Sequence, residues 1–235
     1  MTRARVLVGV PLHKPAKRFL ESLSKFIITL ALSHDVKYKE VEGKPLAEAQ
    51  NDIAEYFLNI GYSHLLFMEE DHWGHSIEMF NSMLQADTHV ASVDYYSRHR
   101  PYPSILMRYN KRNELNSIRE MSGYHVCDLV GLGFTLIRRD TFEHLEKPYF
   151  RLNRIDDVFG DFATDKNFFT RLAKKGIRPV GCADHCLTHK GLDRNNIRKF
   201  RLRSSKTIHE YISDKLFQGR VKNMRNKRRE QNANT

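Results

Sequence analysis

The sequence predicts an α/β domain whose open sheet is flanked by helices. Three observations carry this. From the N-terminus, apolar runs and helical periodicities follow one another as strand, helix, strand, helix, strand. That order implies parallel strands with right-handed crossovers. Gly61 falls where a helix C-cap glycine belongs, directly before the third strand. That strand, Leu65-Leu66-Phe67-Met68, runs straight into Glu69-Glu70-Asp71-His72. Carboxylates cannot stay buried unpaired, and ligands sit beyond the carboxyl ends of strands in open α/β sheets.

The elements follow in order. Arg5 to Pro11 is a strand buried on both faces, stopped by its proline. Phe19, Leu20, Leu23, Phe26, Ile27 and Leu30 recur at helical spacing, and the helix ends near Ser33-His34. Val36 to Val41 alternates as a second strand. Leu46 to Ile60 is a helix with Leu46, Ala49, Ile53, Phe57 and Ile60 inward. Beyond the acids come a short helix at Ile77 to Leu84 and a strand at His89 to Val93. Ser104 to Tyr109, Ser117 to Ser122, Tyr124 to Leu129 and Phe134 to Ile137 read as extended segments. Asp140 reads as the N-cap of a helix through Leu145. The stretch from Arg151 to Ala163 has no periodicity and reads as a functional loop. A helix from Thr164-Asp165 to Gly176 and a strand at Ile177 to Cys182 close the domain. Arg194 to Phe217 is helical in pattern, and Arg220 to Thr235 reads as a basic, disordered tail.

The chain has 235 residues and a net charge of +11. Residues 190–235 hold 14 Lys/Arg against 4 Asp/Glu, so they carry +10 of that charge. A nearly neutral body with a basic C-terminal segment suggests a polyanion, either nucleic acid or an anionic membrane surface. No apolar run is long enough to span a membrane, and no signal peptide is visible. Three cysteines, Cys127, Cys182 and Cys186, argue against a disulfide framework and for a reducing, cytoplasmic setting.

Acids at a strand end point to a divalent ion that bridges them to a phosphorylated ligand, Mn2+ or Mg2+. In an extended segment Glu69 and Asp71 point the same way and Glu70 the other. Cys182, His185, Cys186 and His189 resemble part of a zinc site, but the preferred reading is a core cysteine pair with surface histidines. Asp165 is either a first-turn helix acid or a general base. Gly131 and Gly133 permit close approach of a ligand to the backbone. Trp73 is read as packing, with sugar stacking as its alternative.

Taken in order, these pieces resemble a GT-A-fold glycosyltransferase, family-2-like and of a small viral type. The likeness rests on the strand ending in Pro11, on Gln50-Asn51, on Leu66 to Asp71 as an Asp-x-Asp-like strand end, on Asp128 to Arg139, on Thr164 to Phe169 and on His189-Lys190-Gly191. It implies a Rossmann-like mixed sheet over residues 1–192, with a nucleotide-sugar half to about 94 and an acceptor half from 95. A basic helix (193–219) and tail (220–235) follow. It implies a metal held by Asp71 and His189 with Glu69, a nucleotide sugar contacted by Pro11, His13, Gln50, Asn51, Glu69, Glu70, Gly131 and Gly133, and Asp165 as the catalytic base of an inverting transfer. The donor expected is a UDP-sugar. Arg98, Arg194, Arg198 and Arg201 are the expected acceptor or polyanion contacts, and Tyr95, Tyr96 and Arg100 the expected cleft lining.

Enzymes of this kind occur in viruses that decorate hydroxylated DNA bases, so a DNA acceptor in the host cytoplasm is the leading expectation. A lipid-linked or surface glycan on an anionic membrane is the rival. A metal-dependent nuclease using Glu69, Asp71 and Asp165, and an inert nucleic-acid-binding protein on the same fold, are the readings from other classes.

Overall fold

The computed structural model describes residues 3–97, 104–118, 122–152 and 163–189. The C-terminal helix and tail expected from residue 193 onward, and the loop at 153–162, lie outside them. β1 (Arg5–Leu12), α1 (Lys17–Ser33), β2 (Asp35–Glu42), α2 (Leu46–Ile60) and β3 (His64–Met68) form the expected βαβαβ start. Gly61 caps α2 at φ 70°, the left-handed conformation that a glycine adopts without a Cβ penalty. β4 (His72–Trp73), α3 (Ile77–Gln85), β5 (Val90–Asp94), β6 (Met107–Tyr109), β7 (Leu115–Ser117) and β8 (Tyr124–Val126) follow. β9 (Phe134–Arg138), a 3-10 helix (Arg139–His144), α4 (Ala163–Ala173), β10 (Val180–Cys186) and β11 (Thr188–His189) complete the described elements.

The main sheet has seven strands in the order β2-β1-β3-β9-β5-β10-β8. β2, β1 and β3 are mutually parallel, as are β5 and β10. β9 is inserted antiparallel between β3 and β5, and β8 is antiparallel on β10. Pleat alternation sends Phe134 to one face, against Phe26 of α1, at 5.4 Å between centroids. It sends Phe67 to the other, against Phe150, which stacks on Phe168 of α4. One core thus spans both faces, from Val6 and Leu7 through Leu65 to Met68 to Leu136 and Ile137.

Several boundaries differ from the sequence pattern. Leu20 and Leu46 face solvent, at 44% and 40% exposure. Leu20 lies on an outer stripe of α1 with the exposed Ile28 and Leu32, eight and twelve residues on. Asp140 is not a helix cap. Arg138 holds the cap position without a side-chain bond, and the Asp140 carboxylate accepts from the Arg138 guanidinium instead. The segment at 104–109 is a ladder only from Met107, because the Ile105 N–H goes to Tyr95 O and the Leu106 N–H to the Ser104 hydroxyl. β10 starts at Val180 rather than Ile177, since Pro179 has no N–H for the ladder.

Candidate metal centre

The apolar strand β3 ends at Met68, and the chain then turns. Glu69 N–H donates to Gly133 O at 3.1 Å, and His72 N–H closes back on Glu69 O at 3.3 Å. This turn replaces the extended geometry expected for Glu69 and Asp71, yet it keeps both within 4.0 Å of His72 Nδ1 and sends only Glu70 away. Glu70 reaches back to the β1–α1 loop, where its two oxygens accept from the N–H groups of His13 and Lys14 at 2.6 and 2.7 Å. Asp71 turns inward. Its Oδ1 lies 2.9 Å from His72 Nδ1 and its Oδ2 lies 2.9 Å from His189 Nε2. Glu69 Oε2 stands 4.0 Å from His72 Nδ1.

His189 is brought here by the short pairing of β11 with β4, which sets His189 opposite His72. The two imidazoles stack at 4.4 Å, 12° from parallel. His189 Nδ1 lies 2.8 Å from Tyr96 O, a bond that fixes the ring and leaves Nε2 to the site. Asp71, His72 and His189 together offer three ligand atoms within 4.8 Å of one another, and they form the sole such group among the described residues. This cluster can coordinate a divalent metal ion. Burial works to raise the Asp71 pKa, but the bonds from His189 and His72 outweigh it and hold the carboxyl well below the usual range.

Asp165 lies in the first turn of α4 and is 5% exposed. Burial pushes its pKa up to about 7, against the N–H of Leu132 at 3.1 Å and the Thr164 hydroxyl at 3.2 Å, both of which favour the ionised form. Between Asp165 and the cluster runs the strap Gly131-Leu132-Gly133. The close approach that its glycines permit is made by Tyr95. A Cβ on Gly133 would stand 2.9 Å from the Tyr95 ring and 2.8 Å from His72, and one on Gly131 would overlap the Tyr95 hydroxyl.

The other expected residues are placed as follows. Pro11 is buried at the end of β1 and His13 is exposed in the loop after it. Gln50 is fully buried, and neither amide atom has a hydrogen-bond partner among the described residues. Asn51 clamps Phe150, accepting from its N–H at 3.0 Å and donating to its carbonyl at 2.8 Å. Tyr95 and Tyr96 are buried rather than lining an open cleft. Trp73 is half-buried, with the Arg18 guanidinium 5.7 Å from its ring. Cys182 is buried and Cys186 half-buried. Neither belongs to the ligand group, and His189, expected at the surface, is buried within it. Arg98, Arg100, Arg194, Arg198 and Arg201 lie outside the described residues. His72 is the residue that the sequence pattern missed as a ligand, although it adjoins the acids. A cavity of about 470 Å³ opens elsewhere, lined by Arg3, His64, Asn81, Asp87 and Arg138, with none of the cluster in its wall.

No protein-family profile matches the chain, and no curated protein sequence does. Solved structures do match. A197 from STIV superposes with a TM-score of 0.56 at 18% identity, over 80% of this chain and 86% of that one. GalNAc-T7, solved with UDP, GalNAc and Mn2+, superposes with a TM-score of 0.51 at 11% identity. That match covers 84% of this chain but 47% of the GalNAc-T7 chain, so this chain spans under half of that structure. At these identities the likeness is one of fold: a GT-A-like, Rossmann-type mixed sheet flanked by helices. No helix among the described residues is long and apolar enough to cross a membrane.

Proposed function

We propose that the chain is a metal-dependent glycosyltransferase that moves a sugar from a nucleoside-diphosphate sugar to an acceptor hydroxyl. The observation that carries this is the Asp71–His72–His189 cluster just past the end of β3 in a GT-A-like sheet. Two imidazoles and a carboxylate fit a first-row ion such as Mn2+ better than Mg2+, which prefers an oxygen shell. Asp71, His72 and His189 would hold that ion, and when bound it would offset the charge on the leaving diphosphate. The presence of UDP, GalNAc and Mn2+ in the GalNAc-T7 structure supports a UDP-sugar as donor.

Asp165 is the proposed base. A carboxyl poised near pH 7 takes a proton efficiently at neutral pH. Leu132 N–H and the Thr164 hydroxyl orient its two oxygens. The acceptor oxygen gives its proton to Asp165 and bonds to the anomeric carbon, while the bond from that carbon to the diphosphate breaks on the opposite face. Configuration is inverted. For the acceptor, a hydroxylated DNA base is the reading favoured by the charge of residues 190–235. A nuclease built on Glu69, Asp71 and Asp165 is less favoured, because these three do not form one ligand group.

The test is a melting-temperature screen of nucleotide sugars with and without Mn2+, followed by measurement of nucleotide release. One donor should raise the melting temperature only with Mn2+ present. If none does so at millimolar concentration, the transferase reading fails. Binding to duplex DNA at low salt, compared with anionic vesicles, separates the acceptors; no duplex binding removes the DNA reading.

A further inference from the structure

We propose that Tyr95 is the positioning residue of this site: its ring holds the two imidazoles of the metal centre in orientation, and its hydroxyl ties them to the strap whose Leu132 N–H binds Asp165. The inference rests on the reading of Asp71, His72 and His189 as a metal centre. Tyr95 follows directly on β5 and is 4% exposed. Its ring meets His72 edge-on at 4.2 Å and 67°, and His189 at 5.9 Å and 79°. Tyr95 thus meets both members of the stacked pair from one side, His72 the more closely, so the His72 ring cannot rotate far without moving Tyr95. Its hydroxyl accepts the Gly133 N–H at 3.1 Å.

The neighbouring N–H in the strap, that of Leu132, goes to Asp165, and the Gly133 carbonyl accepts from Glu69. The strap is held from its other side by Thr135, whose hydroxyl donates to Gly131 O at 2.6 Å. Tyr95 is therefore a side-chain link between the cluster and a strap whose remaining bonds reach both Glu69 and Asp165. Gly131 makes room for this side chain alone, and Gly133 for both Tyr95 and His72. The ring contacts and the hydrogen bond described here all go to members of the site. Burial first, then the charges of Glu69, Asp165 and Asp71, raise the Tyr95 pKa, so its hydroxyl stays neutral.

Groups that orient metal ligands from behind are worth about 10- to 100-fold in metal affinity. The test measures Mn2+ binding from the free-ion electron paramagnetic resonance signal. Tyr95→Leu should bind Mn2+ at least about 10-fold more weakly than the wild type, while Tyr95→Phe, which keeps the ring, should restore affinity and the bound-ion spectrum. Tyr95→Met, which refills the space without an aromatic face, is run beside Leu so that a folded non-aromatic variant is in hand, folding being checked by near-ultraviolet circular dichroism. His189→Ala marks full loss of binding. Folded Leu or Met variants with wild-type affinity overturn the role of Tyr95 and leave the metal centre standing. A Phe variant as weak as Leu overturns the ring's part. If the wild type binds no Mn2+ where a nucleotide sugar alone still binds, the metal centre falls, and this inference with it.

Discussion

Asp165 shows how one buried carboxyl joins a proposed catalytic role to stability. Its folded pKa of about 7 lies above its unfolded value, so the folded chain keeps a proton that the unfolded chain sheds. The group's contribution to stability is complete in acid and is lost as pH rises through 7. Asp165→Asn removes that loss and keeps an acceptor for the Leu132 N–H. Without metal, the variant should melt above the wild type at pH 8, with the gap closing toward about pH 4. Its transfer rate should fall by roughly 100-fold or more, as for loss of a general base. Equal melting curves at both pH values would show that the carboxyl is not held in the way the geometry indicates. At this scale the sequence was partly legible. Acids after an apolar strand and an Asp at a helix start mark themselves by chemistry. His72 and Tyr95 do not, because their partners, His189 and Gly133, are remote in the chain and only the fold brings them together.

Elements placed the site with varying legibility. The βαβαβ start follows from periodicity, since each of its elements is long enough to repeat its pattern. β4 and β11 have two residues each, too short for any period, yet their pairing sets His189 against His72. The turn after β3 was equally hidden, because nothing local separates an extended Glu69-Glu70-Asp71 from a turned one. Gln50-Asn51 lies on a legible helix, but what Asn51 does is not legible. It binds the backbone of Phe150, whose ring stacks on Phe168 at 4.7 Å, one turn along α4 from Asp165. Asn51→Ala leaves the Phe150 N–H and carbonyl without that partner and should cost about 1–3 kcal/mol. A urea midpoint lowered at unchanged slope is the expected readout. An unmoved midpoint would mean that α2 and the Phe150 turn are held by ring packing alone.

The whole molecule carries a second titration of opposite sign. His75 packs among Phe19, Phe26 and Phe134. Burial first, then the charge of His72, lowers its pKa to about 3. The unfolded chain gains a proton there below about pH 6.5 that the folded chain refuses, so this stability is full above 6.5 and is lost as pH falls. Between about pH 6.5 and pH 4 this loss offsets the gain at Asp165, so wild-type urea midpoints should stay nearly level there, whereas those of His75→Phe should rise as pH falls. Parallel curves would place the acid sensitivity elsewhere. The opposed titrations of Asp165 and His75 give a plateau of stability from about pH 4 to 6.5, with losses on either side. The placement of β9 has a temporal consequence too. During synthesis β1, β2 and β3 emerge first, and β3 has an unpaired apolar edge until residues 134–138 arrive to fill it. β5 waits for the same strand. The βαβαβ start is thus not a unit that can finish folding early. Its inner edge is covered by a strand from the later half, so the sheet closes, and the two sides of the site meet, in a single late event.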